Sequence, residues 1–120
     1  RAVLRPADRV ACLLAALCHD LDHPGVNNEF LVKSASPLTL EYPVPMVLEE
    51  HHWRLTKQVL AEAEVLRNLP KEEAEALLEL IRSGIVSTYM GMHKAVVEGL
   101  RARAEAGRLS RSQSPAASDG

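Results

Sequence analysis

Cysteine is scarce: the 120 residues hold two, Cys12 and Cys18, in one apolar stretch and too far apart around a helix to bridge. They build no disulfide framework, so they read as small buried hydrophobes of a chain from a reducing interior. An excess of one charge is also missing. A net charge of −2 leaves no basic footprint for nucleic acid. No apolar run approaches the roughly 20 residues of a membrane helix, and the opening residues Arg-Ala-Val-Leu-Arg-Pro carry no signal-peptide core. The expected location is cytoplasmic, any membrane attachment falling to segments of a longer protein. Internal repeats, a Gly-rich phosphate loop and a Ser-His-Asp signature are absent too.

What remains is helical spacing. Pro6 suits a first helical position and Asp8 a first turn. Val10, Leu13, Leu14, Leu17 and Leu21 then recur at helical intervals, with Ala11, Cys12, Ala15, Ala16 and Cys18 between them. A helix apolar on every side predicts burial, and Pro24-Gly25 stops it. Asn27 or Asn28 caps a short second helix, with Phe30 and Leu31 facing inward. Residues 34–45 predict a loop with a helical turn near Leu38–Tyr42. A third helix is expected from Pro45 to about Leu66, with Leu48, His52, Leu55 and Val59 on one stripe. Pro70 opens a fourth, whose stripe runs through Leu77, Ile81, Ile85 and Tyr89 to Val96. Gly84 and Gly91 interrupt it, each at about 1 kcal/mol against Ala. The expected organisation is an all-α domain over 1–104 and a disordered polar tail over 105–120.

The chemistry sits in "HDLDHPGVNN", residues 19 to 28. Neutral imidazole suits zinc and other transition metals; carboxylate oxygen suits zinc, magnesium or manganese. His19 and Asp20 are the candidate ligands, His23 follows one turn later, and Asp22 can orient a histidine or a metal-bound water. A solvated helix end is the plain alternative for a lone His-Asp pair. Four titratable groups in five positions behind an apolar helix are unfavourable there without partners. "LEEHHW", residues 48 to 53, adds Glu49, Glu50, His51 and His52. Glu49 and His52, three apart, share a helix face.

Together "AALCHDLDHPGVNNEFLVKSASPLTL" and "VLEEHH" resemble the catalytic domain of class I cyclic nucleotide phosphodiesterases, which carries H-D-x-D-H-P-G-x-x-N-x-F and then Leu-Glu-Asn-His-His. The likeness runs from about Arg5 to His93. It implies a helical fragment of an HD-type metallohydrolase that opens the cyclic phosphate of cAMP or cGMP to the 5′-monophosphate in signal transduction. It implies two divalent metals, zinc and magnesium with manganese as an alternative, and a cyclic nucleotide as partner. His19 then ligates the tighter ion and Asp20 both. Asp22, His23, Asn28, Glu49, His51 and His52 stand near the site, and Thr88 and Met90 line the substrate pocket. A homodimer is expected only of a longer protein.

The family pattern also needs an upstream H-N-x-x-H-A segment that supplies the general-acid histidine, a further aspartate ligand, and a purine clamp. None matches here. The expectation is therefore an incomplete catalytic domain, inactive alone. The rival reading is a non-catalytic helical remnant that binds a partner or a metal. Glu50 stands where the family has Asn. In "STYMGMH", Thr88, Met90 and His93 match, whereas Tyr89 replaces an aspartate.

Overall fold

The computed structural model describes residues 4–112. Within them lie α1 (Pro6–Cys18), α2 (Asn28–Lys33), α3 (Leu38–Glu41), α4 (Val47–Glu62), α5 (Lys71–Val86), a 3₁₀ turn (Met90–Met92) and α6 (His93–Ser112), with no strand among the described residues. The chain divides into two compact units, Arg1–Tyr89 and Met90–Gly120. The expected boundary at 104 falls within α6. The polar tail expected from 105 is helical as far as Ser112; its remainder, 113–120, lies outside the described residues.

In the first unit, α1 begins where Pro6 and Asp8 predict. The Asp8 carboxylate accepts from the Arg5 amide at 3.1 Å and from its guanidinium at 2.9 Å. One side of α1 packs against α5 and α4 in a seam of Ala11, Ala15, Leu60, Leu77, Ile81 and Ile85. Small residues set its spacing. A Cβ placed on Gly84 would stand 2.8 Å from the Ala15 Cβ, closer than two carbons can pack, so the glycine that weakens α5 also admits α1. The other side of α1 is open: Val10, Leu13 and Leu17 are 44%, 72% and 80% exposed. The all-round burial expected of this helix is therefore met on one face, and Cys12, expected inside, is exposed as well.

A smaller core joins α2 to α4 through Leu31, Val47 and Leu48, with Val26, Leu38 and Tyr42 packed on it. Asn27 is the cap, its Oδ1 accepting from the Phe30 amide at 2.9 Å. Phe30 itself points outward, correcting the expected inward pair, because only the Leu31 side of this short helix meets α4. On α4 the buried row is Leu48, His52, Thr56 and Leu60, while Val59 is exposed. The helix stops at Glu62, short of the expected Leu66, because Glu64 turns left-handed at φ 49 and Val65 N–H reaches the Leu60 carbonyl at 3.1 Å. The fourth helix also ends early. The Ser87 and Thr88 hydroxyls donate to the Gly84 and Ile85 carbonyls at 2.8 and 2.6 Å, and such side-chain bonds compete with helix continuation.

Candidate metal centre

His19 closes α1 as its C-cap, and the chain then turns tightly: Leu21 N–H bonds to the Cys18 carbonyl and His23 N–H to that of Asp20, both at 3.1 Å. Asp22 makes the turn possible at φ 59, a left-handed conformation that Asp tolerates better than most residues. Gly25, at φ 80, completes the change of direction that Pro24-Gly25 signals. The turn carries Asp20 and His23 to His52 of α4. Ligand atoms of Asp20, His23 and His52 lie within 4.8 Å of one another, and the rings of His23 and His52 stack at 5.6 Å.

Hydrogen bonds decide what each imidazole offers. A carbonyl only accepts, so the 2.8 Å contact of His19 Nδ1 with the Ala16 carbonyl places a proton on Nδ1. The neutral ring then turns a bare Nε2 lone pair toward Asp20 Oδ2 at 3.1 Å. Two lone pairs at that distance require a cation between them, either a proton or a metal. His52 repeats the arrangement. Its Nδ1 donates to the Leu21 carbonyl at 2.7 Å, and Nε2 lies 3.9 Å from Asp20 Oδ1. Its side chain is 2% exposed. Burial pushes its pKa below the ordinary value, against upward pulls from the Leu21 carbonyl and Asp20. The neutral form with a free lone pair is thereby favoured. An imidazole fixed through Nδ1–H by a backbone carbonyl is a common metal-ligand arrangement. His23 differs: its Nδ1 accepts from the Gly25 amide at 3.0 Å, so neutral Nε2 carries the proton and donates rather than ligates.

The donor set fits divalent metal. Asp20 has His19 Nε2 near one oxygen and His52 Nε2 near the other. This offers a carboxylate and two imidazoles of the kind that suit zinc and its neighbours, whereas His23 presents a proton. Of the expected ligands, Asp20 belongs to the three-residue group, whereas His19 pairs with Asp20 from outside it.

The remaining expected residues divide. Asn28 Nδ2 donates to Glu49 Oε2 at 2.9 Å, and its Oδ1 accepts from Leu48 N–H at 2.8 Å. One side chain thus ties α2 to α4 and engages the carboxylate of Glu49, itself 9% exposed. Asp22 accepts from His51 Nε2 at 3.0 Å. Thr88 is bonded into the end of α5, and Met90, in the second unit, is 76% exposed. Sequence reasoning passed over Tyr42, which meets His51 Nδ1 at 3.2 Å, and Arg82, which pairs with Glu50 at 2.8 Å. Neither sits at a spacing that marks it. A shallow apolar cleft of about 280 Å³, lined by Leu60, Ala61, Leu66, Ala74 and Leu78 among others, contains none of these histidines or aspartates.

Comparison with known proteins gives a consistent picture. Residues 1–118 match the family described as 3′5′-cyclic nucleotide phosphodiesterase. The chain is 33% identical over 105 residues to a 3′,5′-cyclic-AMP phosphodiesterase, isoform F, of Drosophila melanogaster, covering 86% of this chain and 16% of the relative. Isoforms N/G from the same fly match at the same identity, with 11% of their length covered. Among solved structures, the phosphodiesterase domain of the RhoPDE fusion protein from the choanoflagellate Salpingoeca rosetta matches with a TM-score of 0.81 and 35% identity. That match covers 91% of this chain and 34% of the other. The chain thus spans about a sixth or less of these curated relatives and about a third of the solved domain. Among the described residues, no helix is long and apolar enough to cross a membrane.

Proposed function

This chain belongs to the 3′5′-cyclic nucleotide phosphodiesterase family, and on that premise we propose that it is the metal-holding part of a catalytic domain hydrolysing cAMP, cGMP or both to 5′-monophosphates. Water adds across the phosphorus–O3′ bond, and the 3′ oxygen leaves with a proton. The relatives named as cyclic-AMP phosphodiesterases support cAMP as the first substrate to try. Zinc and magnesium are the expected ions, with manganese as an alternative; when bound, they supply a nucleophile at neutral pH and offset charge on the phosphoryl oxygens. The chain's own residues divide the labour. His19 and Asp20 would hold the tighter ion, and His52 lies beside the Asp20 carboxylate. His23 would offer a hydrogen bond to the cluster from Nε2–H. Glu49, held by Asn28, would hold water near the second ion.

The observation that carries this reading is that His19 and His52 both turn Nε2 to Asp20, each ring being fixed through Nδ1 by a backbone carbonyl. The 120-residue chain alone is expected to bind metal weakly and not to turn over, since two-thirds of the matched solved domain lies beyond it. The outward leucines of α1 support the same incompleteness. The test has two arms. Calorimetry on this chain should show zinc binding that weakens by about tenfold or more in Asp20→Asn. A longer protein containing it should hydrolyse cAMP or cGMP and lose that activity in Asp20→Asn. Zinc binding indifferent to both Asp20→Asn and His19→Ala would overturn the metal assignment. An inert longer protein with both metals supplied would favour the non-catalytic remnant.

A further inference from the structure

We infer that Tyr42 is a positioning residue: through His51 it holds Asp22 in the left-handed turn that delivers Asp20 and His23 to His52. The inference rests on the proposed metal reading for what the turn is for, and on hydrogen-bond geometry alone for how the turn is held.

Three contacts join end to end. Arg54 Nη1 lies 3.2 Å from the Tyr42 hydroxyl, that hydroxyl 3.2 Å from His51 Nδ1, and His51 Nε2 3.0 Å from Asp22 Oδ2. An ionised carboxylate and a guanidinium each fix one end, because the first only accepts and the second only donates. His51 Nε2 therefore carries a proton, neutral Nδ1 is a lone pair, and the Tyr42 hydroxyl fills it while accepting from Arg54. Every group can be satisfied in that order. Tyr42 is well placed to impose it. Its ring packs on the small core of Leu31, Val47 and Leu48 and meets His51 edge-on at 5.4 Å. Arg54 is steadied by Glu41 at 2.8 Å.

The end of the relay is the strained residue. Asp22, at φ 59, is far more exposed than His51, whose side chain is 12% accessible. The buried partner thus anchors the exposed one across 29 positions of sequence. Without the Tyr42 hydroxyl, only the exposed Asp22 carboxylate favours the proton on Nε2, and part of the population moves it to Nδ1. The form protonated on Nδ1 offers Asp22 only a lone pair, and the turn loses its anchor.

The test compares the chain with its Tyr42→Phe variant, which keeps the ring. Side-chain ¹H–¹⁵N correlation should show His51 protonated on Nε2 in the parent and as a tautomer mixture in Tyr42→Phe. The Asp22 amide-to-Hα coupling should lose its left-handed signature in step. Zinc affinity, titrated with zinc alone, should fall on the order of tenfold. Asp22→Gly, which favours a left-handed residue without an anchor, should make zinc affinity insensitive to Tyr42→Phe. Should Tyr42→Phe fail to fold, Arg54→Met tests the same relay from outside the core with the same readouts. A His51 protonated on Nδ1 in the parent, or one unmoved by losing the hydroxyl, overturns the relay. A tautomer change with an unaltered Asp22 turn or unaltered zinc affinity overturns the positioning role. A parent that binds no zinc sinks the proposed function instead, and the two magnetic-resonance readouts still decide the relay.

Discussion

Helices α1 and α4 take part in two regions built on opposite principles. At the seam with α5, contact is made by shape alone: Ala11 and Ala15 lie against Ile81 and Ile85, and Gly84 leaves room for one methyl group. At the other end, the same two helices and the turn after α1 bring polar groups together, and each buried one has a partner. Among the described residues, no buried side-chain nitrogen or oxygen lacks a hydrogen bond. The seam tolerates no added volume and its buried residues carry no titratable group, whereas the polar end depends on which atom carries which proton. Stability and metal chemistry should therefore respond to different substitutions, although both regions lie on one pair of helices.

The largest effect expected in this chain itself tests the seam. Ala15→Leu pushes three more carbons toward Gly84, and overpacking of this kind typically costs about 1–3 kcal/mol. Thermal unfolding followed by circular dichroism should show it as a clear drop in Tm. On the opposite face of α1, Leu13→Gln should stay within about 0.5 kcal/mol in this chain, since Leu13 is 72% exposed. In a longer protein that completes the domain, the outer face is expected to be covered, and Leu13→Ala should cost about 2–5 kcal/mol there. Equal, small losses from Leu13→Ala in both settings would break the comparison.

A smaller effect tests the polar end. His52 has its pKa depressed in the folded state, first by burial, from an ordinary value of 6.5. The unfolded chain then binds the proton first on acidification. Stability from the neutral ring is complete above 6.5, declines as pH falls from there toward the folded value, and levels off below it. The metal-free chain should lose Tm as pH falls below about 6.5, the ordinary histidine value. His52→Gln should flatten that slope. Ala15→Leu should lower Tm at every pH and leave the slope unchanged. A parent chain whose Tm rises on acidification across this range would contradict the neutral assignment of His52.

Much of the site was legible because its spacing is local. HDLDHPG places ligand chemistry at a helix end and specifies the turn in the same residues, while Asn27 announces the next helix by its own side chain. The roles of the histidines were not legible. They depend on the Ala16 and Leu21 carbonyls and the Gly25 amide, backbone groups that every sequence has and no side-chain pattern marks. Tyr42 was invisible for a related reason: it lies among prolines, outside any helical period, and its significance comes from meeting His51 across a loop. Likewise, α6 was missed as a helix beyond residue 105 because its composition offers little to bury, although its Ala, Glu and Arg residues favour helix on propensity alone.

The smallest expected effect separates stability from the site altogether. Glu64 occupies the left-handed position after α4, and both bonds of the terminal motif are formed, Val65 N–H to the Leu60 carbonyl at 3.1 Å and Glu64 N–H to that of Ala61 at 3.0 Å. Glycine fits that conformation without the roughly 1–2 kcal/mol an L side chain incurs. Part of the gain is offset by the freedom glycine adds to the unfolded chain. More is lost with the exposed ion pair to Arg67 at 3.1 Å, of a kind usually worth about 0–1 kcal/mol. Glu64→Gly should therefore raise stability by a few tenths to about 1 kcal/mol, measured by urea unfolding. Position 64 lies three helical turns from His52, beyond the end of α4, and touches none of the polar cluster. The same variant should bind zinc as the parent does and keep its pH slope. A change in zinc affinity would mean that the helix end and the metal end are coupled, and that stability and metal chemistry are less separable than the two regions suggest.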